Sequence, residues 1–229
     1  MFVCAAHKSL NLQEFNRLYA FPTVPDLAGD NMVILDSGAF ALSKSGKKMN
    51  ADYMQRLADH YRHYQTRDNV FCIAPDVFKN SFLSVRQYQN FIADFADVPV
   101  CPVVQFKSST IDLFSTKKQI DSYAQMRQSR FVAISNNAFC PLKQHKELSY
   151  ITDYIRRRFG SVWVHVLGAG YSHNNVKDWL KTGVNSIDSI SYYTDAQHNM
   201  RWLAHSYNHE ISQLEFKTLA IENARVANT

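Results

Sequence analysis

Six apolar runs in this 229-residue chain each end on a residue able to do chemistry. Asp36 closes VIL, Asp76 closes FCIAP and Gln105 closes VCPVV. Ser135 and Asn136 follow FVAI, Gly168 follows VWVHVL, and Asp188 follows VNSI. Two carboxylates at one site can share a displacement, one attacking and the other carrying the proton. With a third carboxylate, an amide and small residues, the set would converge on one place if these ends meet. Each residue alone has a plainer reading, since an aspartate at a strand end also caps a loop or the helix that follows. The stretch DSGAF at 36–40 asks for more than a cap, because it adds a hydroxyl, a glycine and an aromatic ring to the turn.

These residues meet only if the runs that carry them lie side by side. Apolar runs recur at 2–5, 32–35, 70–74, 100–104, 131–134, 162–167 and, more weakly, 184–187, with helix-period segments between them. Asn50 is placed to cap a helix with Met54, Leu57, Ala58, Tyr61 and Tyr64 on one face. Asn80 or Ser81 opens another, with Val85, Tyr88, Ile92 and Phe95. Gly160 and Gly183 stop helices around 151–159 and 176–180. The tail from Ala196 to about Ala227 reads as helical, in two pieces. Strands apolar on both faces that alternate with helices make a parallel sheet covered by helices. Seven or eight such units give a single compact α/β domain over 1–229, a TIM-like (β/α)8 barrel with C-terminal helices and one irregular unit. An open doubly wound sheet is the alternative, but no G-x-G-x-x-G or G-x-x-x-x-G-K-[ST] follows a strand, which argues against a nucleotide cofactor. In the barrel, residues just past the strands' C-terminal ends share one mouth.

The formal net charge of +5 and a pI near 9.0 suit a polyanionic partner without requiring one. The cations gather at Lys44, Lys47 and Lys48, at Lys107, at Lys117 and Lys118, at Lys143 and Lys146, and at Arg156, Arg157 and Arg158. The arginine triplet reads equally well as a solvated helix face. No apolar run reaches the ~20 residues of a membrane span, so no membrane partner is expected. Cys4, Cys72, Cys101 and Cys140 are scattered and form no C-x-x-C pair, which points to buried reduced thiols in a reducing cytoplasm rather than to structural zinc. His7, His165 and His173 show no metal-ligand spacing, and His165, inside an apolar run, reads as a satisfied core histidine. No metal is expected.

The stretch at 36–40 resembles the D-S-G-G-[FY] signature of the tRNA-guanine transglycosylases. Its D-S-G-A-F form is closer still to their DNA-modifying branch, the DpdA-type 7-deazaguanine DNA transglycosylases of phages and bacteria. The resemblance continues in order through APD at 74–76, VVQ at 103–105, AISN at 133–136, HVLGAG at 165–170 and GVNSIDS at 183–189, and covers about 32–193. It implies a TIM-like barrel. The tRNA enzymes carry a cysteine-rich zinc-binding subdomain and a D-C-V-x-P-T-R continuation. This chain has no cysteine after Cys140 and reads DSISYY from Asp188, which fits the shorter DNA-modifying relatives.

What the resemblance implies for function is concrete. Asp188 would attack C1′ of a guanosine and form a covalent glycosyl-enzyme intermediate, and Asp36 would move the proton between leaving and entering bases. Asp76 would accept from the base's N–H edge, Gln105 would bond its carbonyl, and Ser37, Ser135, Asn136 and Gly168 would complete the rim. Phe40 would stack on the base, worth ~1–3 kcal/mol. The net reaction would exchange guanine in DNA for a 7-deazaguanine such as preQ0, without a cofactor, on a target base flipped out or already unpaired. Lys44, Lys47, Lys48, Lys107, Arg156, Arg157 and Arg158 would hold phosphates. Exchange on RNA or on a free nucleoside is the nearest rival, and a barrel that binds a base without turnover is a rival of another class. An aldolase-type lyase would need a lysine on a strand's inner face, which every run here lacks.

Overall fold

The computed structural model describes residues 1–6, 10–107, 111–136, 141–169, 176–203 and 209–229, the side chains of 141–143, 176, 177 and 209 excepted. Its frame is eight parallel strands: β1 (Phe2–Ala5), β2 (Arg17–Ala20), β3 (Val33–Asp36), β4 (Val70–Cys72), β5 (Val103–Val104), β6 (Phe131–Ser135), β7 (Trp163–Leu167) and β8 (Ser186–Ser189). Strands adjacent in sequence are neighbours in the sheet, and β1 lies against β8. The sheet's two edges, β4 and β5, meet at a parallel bridge between Ile73 and Cys101. There the Cys101 N–H donates to Cys72 O at 2.7 Å and the Ala74 N–H to Cys101 O at 2.8 Å. The sheet thus curls into the ring expected of a (β/α)8 barrel.

Alternation along the strands divides the core in two. Val3, Leu18, Ile34, Ile73, Phe131 and Ala133 belong to a cluster that no helix residue joins, so they fill the barrel's interior. Phe2, Cys4, Leu35, Val132, Ile134 and Val166 face outward into the larger cluster beneath the helices. After β3 come α1 (Ala39–Lys44) and α2 (Ala51–Tyr64); the later strands are followed in turn by α3 (Ser81–Asp94), α4 (Leu113–Met126), α5 (Pro141–Phe159), α6 (Val176–Leu180) and α7 (Ser191–Gln197). Asn50 and Asn80 cap α2 and α3 as anticipated, each side chain accepting a backbone N–H of the first turn.

Two expectations need correction. The apolar runs gave seven strands and missed β2, because RLYA places a cation in so short a stretch. Arg17 is nevertheless fully buried, its guanidinium donating to Ala28 O at 2.8 Å. Of the two helical pieces expected from Ala196 onward, only the later one is found as a helix. Strands β9 (Met200–Trp202) and β10 (His209–Ile211) pair antiparallel before α8 (Phe216–Ala227). Asn223 of α8 holds this ribbon, accepting the Trp202 N–H at 2.8 Å and donating to Met200 O at 2.9 Å.

The ribbon and α8 serve the irregular start of the barrel. Among the described residues no helix follows β1 or β2, and the C-terminal elements cover that wall instead. Tyr192 and Trp202 meet Phe2 edge-on at 6.4 and 6.3 Å, and Tyr192 donates its hydroxyl proton to Ala5 O at 2.8 Å. Arg225 pairs with Glu14 at 2.8 Å. Among the described residues, no helix is long and apolar enough to cross a membrane. Cys4, Cys72 and Cys101 are free and buried, whereas Cys140 lies outside the described residues.

Candidate active site

Asp36 is the last residue of β3, and the turn after it explains the composition of DSGAF. Its Oδ2 accepts the Gly38 N–H at 3.0 Å. Gly38 sits at φ +75°, and a Cβ there would stand 2.9 Å from both Phe21 O and Tyr53 Oη. Only glycine meets both demands. Tyr53 fixes the same turn by donating its hydroxyl proton to Ser37 O at 2.6 Å. Ser37 itself is buried behind the turn. Its Oγ has no hydrogen-bond partner of good geometry, yet it lies close enough to Asp76 to favour that carboxylate's charged form. The turn leads directly into α1, which carries Phe40 outward with half its surface exposed. The Phe40 ring meets Phe78 edge-on at 5.1 Å, and Lys44 Nζ lies 4.6 Å from its centre.

Across the mouth, Asp76 is buried and takes a short hydrogen bond from Gln105 Nε2. Gln105 Oε1 accepts the Lys79 N–H at 3.2 Å, which fixes the orientation of the amide. Lys79 adopts φ +59°, a conformation rare for a side-chain-bearing residue and one that tends to gather at functional sites.

Asp188 lies within β8 rather than past its end, and its side chain is nearly buried. Its Oδ1 faces the Gly168 N–H at 2.9 Å and His165 Nε2 at 3.0 Å. The other ring nitrogen, His165 Nδ1, is 2.7 Å from Ser186 Oγ, which in turn accepts from Trp163 Nε1 at 2.7 Å. His165 is therefore the satisfied core histidine that its position suggested, but what satisfies it is the candidate nucleophile. Sequence reasoning missed this link. The alternation W-x-H on β7 and S-x-D on β8 was the available signal, because it places all four side chains on the barrel's inner face.

A cavity of about 350 Å³ opens at the strands' C-terminal ends, within the ordinary size range of small-molecule sites. Asp36, Phe40, Asp76, Gln105, Ser135, Asn136, Gly168 and Asp188 all line it. Apolar walls come from Leu18, Phe78 and Leu167, none of which the sequence singled out. Asn136 donates to Gly168 O at 2.9 Å, and its Oδ1 is buried without a hydrogen-bond partner among the described residues.

Burial under an apolar rim moves the protons of Asp36 and Asp76. Burial raises the Asp36 pKa to about 6; the Gly38 N–H opposes that rise and the neighbouring Asp188 adds to it. Burial also raises Asp76 to about 7, with Asp36 contributing and the Gln105 hydrogen bond opposing. A carboxyl with a pKa near 6 is suited to give and take a proton near neutral pH. Among the described residues no group of His, Cys, Asp and Glu is arranged to hold a metal, and His7 and His173 lie outside them.

The basic residues divide between the two ends of the barrel. Lys44, Lys47 and Lys48 are exposed on α1 and the loop after it, and Lys107 is exposed two residues past Gln105, at the strand ends that form the mouth. Arg156, Arg157 and Arg158 occupy the last turn of α5, at the opposite end. Arg156 bonds Gly183 O and Asn185 Oδ1, Arg157 lies against the rings of Tyr150 and Tyr154, and Arg158 pairs with Asp121 at 2.7 Å. The triplet thus has partners within the protein and stands apart from the cavity, which returns it to the helix-face reading.

No protein-family model matches the chain, and no curated protein matches it either.

Proposed function

We propose that the protein is a guanine transglycosylase that acts on DNA and exchanges guanine for a 7-deazaguanine base. The observation that carries this reading is the division of labour at the mouth. Asp188 has one oxygen held by two neighbours, and Asp36, with a pKa near 6, stands across the same cavity. In the first displacement, Asp188 Oδ2 bonds C1′ as the bond from C1′ to guanine breaks, and Asp36 gives its proton to the departing base. In the second, the entering base gives its ring N–H proton to Asp36 and bonds C1′, and Asp188 is released.

The rest of the cavity fits a purine-like base. Ionised Asp76 accepts N–H groups from one edge. The half-exposed Phe40 ring offers a stacking face at the rim, with Lys44 and Lys79 above the Phe40 and Phe78 rings for phosphates. DNA is favoured over tRNA because the DSGAF form at 36–40 is closer to the DNA-modifying branch, and because SISYY follows Asp188 in place of the C-V-x-P-T-R of the tRNA enzymes. Free buried thiols at Cys4, Cys72 and Cys101 suit the cytoplasm of a bacterial or phage-infected cell.

Incubation with guanine-containing DNA and no acceptor base tests the reading by peptide mass spectrometry. The expected product is a deoxyribosyl adduct on Asp188, absent from Asp188→Asn. Asp36→Asn should still bind DNA but exchange bases ~100- to 10,000-fold more slowly. Base exchange by Asp188→Asn would defeat the mechanism, and 7-deazaguanine appearing in tRNA but not in DNA would defeat the substrate.

A further inference from the structure

We propose that His165 is a positioning residue, which aims Asp188 through a hydrogen-bond chain running inside the barrel. The proposal rests on the transglycosylase reading of Asp188. Indole nitrogen only donates, so Ser186 Oγ accepts from Trp163 Nε1 at 2.7 Å. The serine has one proton of its own, and the acceptor it faces is His165 Nδ1 at 2.7 Å. Nδ1 therefore carries no hydrogen, and the ring's single proton sits on Nε2, directed at Asp188 Oδ1 at 3.0 Å. A doubly protonated ring would turn an N–H toward Ser186 and leave the serine's proton without an acceptor among the described residues.

The Gly168 N–H meets the same Asp188 oxygen at 2.9 Å. Two donors on Oδ1 hold the carboxylate against rotation and leave Oδ2, which has no donor among the described residues, to face C1′. His165 is fully buried in an interior otherwise filled by residues such as Val3, Ile34 and Ile73. A polar chain in such a setting is costly unless every member is satisfied. Here the chain ends on the one carboxylate that the reaction needs held still.

Nitrogen-15 NMR of the intact protein at pH 7 reads the tautomer directly, with the His165 signals assigned by their loss in His165→Gln. The expected pattern is a bare Nδ1 and a protonated Nε2. A protonated Nδ1, in either the other tautomer or the imidazolium, overturns the proposal whatever reaction the protein performs. The second arm uses two replacements, since a glutamine amide reaches where Nε2 stood and an asparagine amide only where Nδ1 stood. His165→Gln should form the Asp188 adduct within about tenfold of the wild-type rate. His165→Asn should be on the order of a hundredfold slower with DNA affinity unchanged, as expected for a misplaced reacting group. Equal rates in the two folded variants would reduce His165 to a core residue. A wild-type protein with the expected tautomer and no adduct would instead sink the transglycosylase reading, leaving the hydrogen-bond chain upheld.

Discussion

Replacing Asp76 by asparagine should make the protein more stable and weaken its hold on a base. Burial raises the Asp76 pKa from 3.8 to about 7 in the folded protein. As pH rises from about 4 to 7, the unfolded chain releases this proton while the folded protein keeps it, so the unfolded state gains ground. Above about 7 the loss is complete. One unit of pKa corresponds to ~1.36 kcal/mol, so about three units amount to roughly 4 kcal/mol. That figure is a ceiling, because Asp36 contributes to the shift and would relax once its neighbour was neutral. Asparagine keeps the shape and an oxygen for Gln105 Nε2, but it does not titrate. Melting curves should coincide near pH 4 and separate toward pH 8, with the variant higher by up to roughly 8–16 °C at 2–4 °C per kcal/mol. The same change sets an N–H against the N–H edge of a guanine-like base, so calorimetry should show base affinity falling roughly ten- to a hundredfold. A variant no more stable than wild type at pH 8 would refute the argument that Asp76 is held against its preferred charge.

Two further outcomes follow from the same geometry. Gly38→Ala should lower the unfolding free energy obtained from urea titration by about 2 kcal/mol or more, because the new methyl meets two oxygens at 2.9 Å in a left-handed backbone; an unchanged midpoint would deny that close approach. Neutralising Lys44, Lys47 and Lys48 should reduce the salt slope of single-stranded DNA binding, read by fluorescence anisotropy, by up to about two, whereas Arg157→Gln with Arg158→Gln should leave it unchanged. A fall caused by the arginine pair would place the nucleic-acid path at the wrong end of the barrel.

The mouth was legible because a barrel turns strand-end position into proximity. Once APD, VVQ and SID are read as the ends of parallel strands, Asp76, Gln105 and Asp188 must meet. Alternating apolar runs gave the rest of the frame wherever the strand was wholly hydrophobic. They failed at β2, whose Arg17 is buried by contacts from Ala28 and Asp26 that periodicity does not encode. They failed in the tail, where helix-compatible residues at 200–202 instead pair as a ribbon tied to Asn223. The arginine triplet looked like a phosphate site because charge is visible in a sequence, whereas Asp121, Tyr154 and Gly183, which engage it, lie far away along the chain. Phe78 and Leu167 were overlooked as walls because an apolar residue near a strand end looks the same whether it faces the mouth or the helices.

The meeting of β4 and β5 has a mechanical consequence. Every other pair of neighbouring strands shares a longer ladder, while this joint rests on the single bridge between Ile73 and Cys101. Just above it, Asp76 rises from one side and Gln105 from the other, and their short hydrogen bond fastens the walls together. The pair is a clasp over the thinnest seam of the ring. Whatever separates the carboxylate from the amide therefore loads the seam itself, and the single bridge beneath must carry that load.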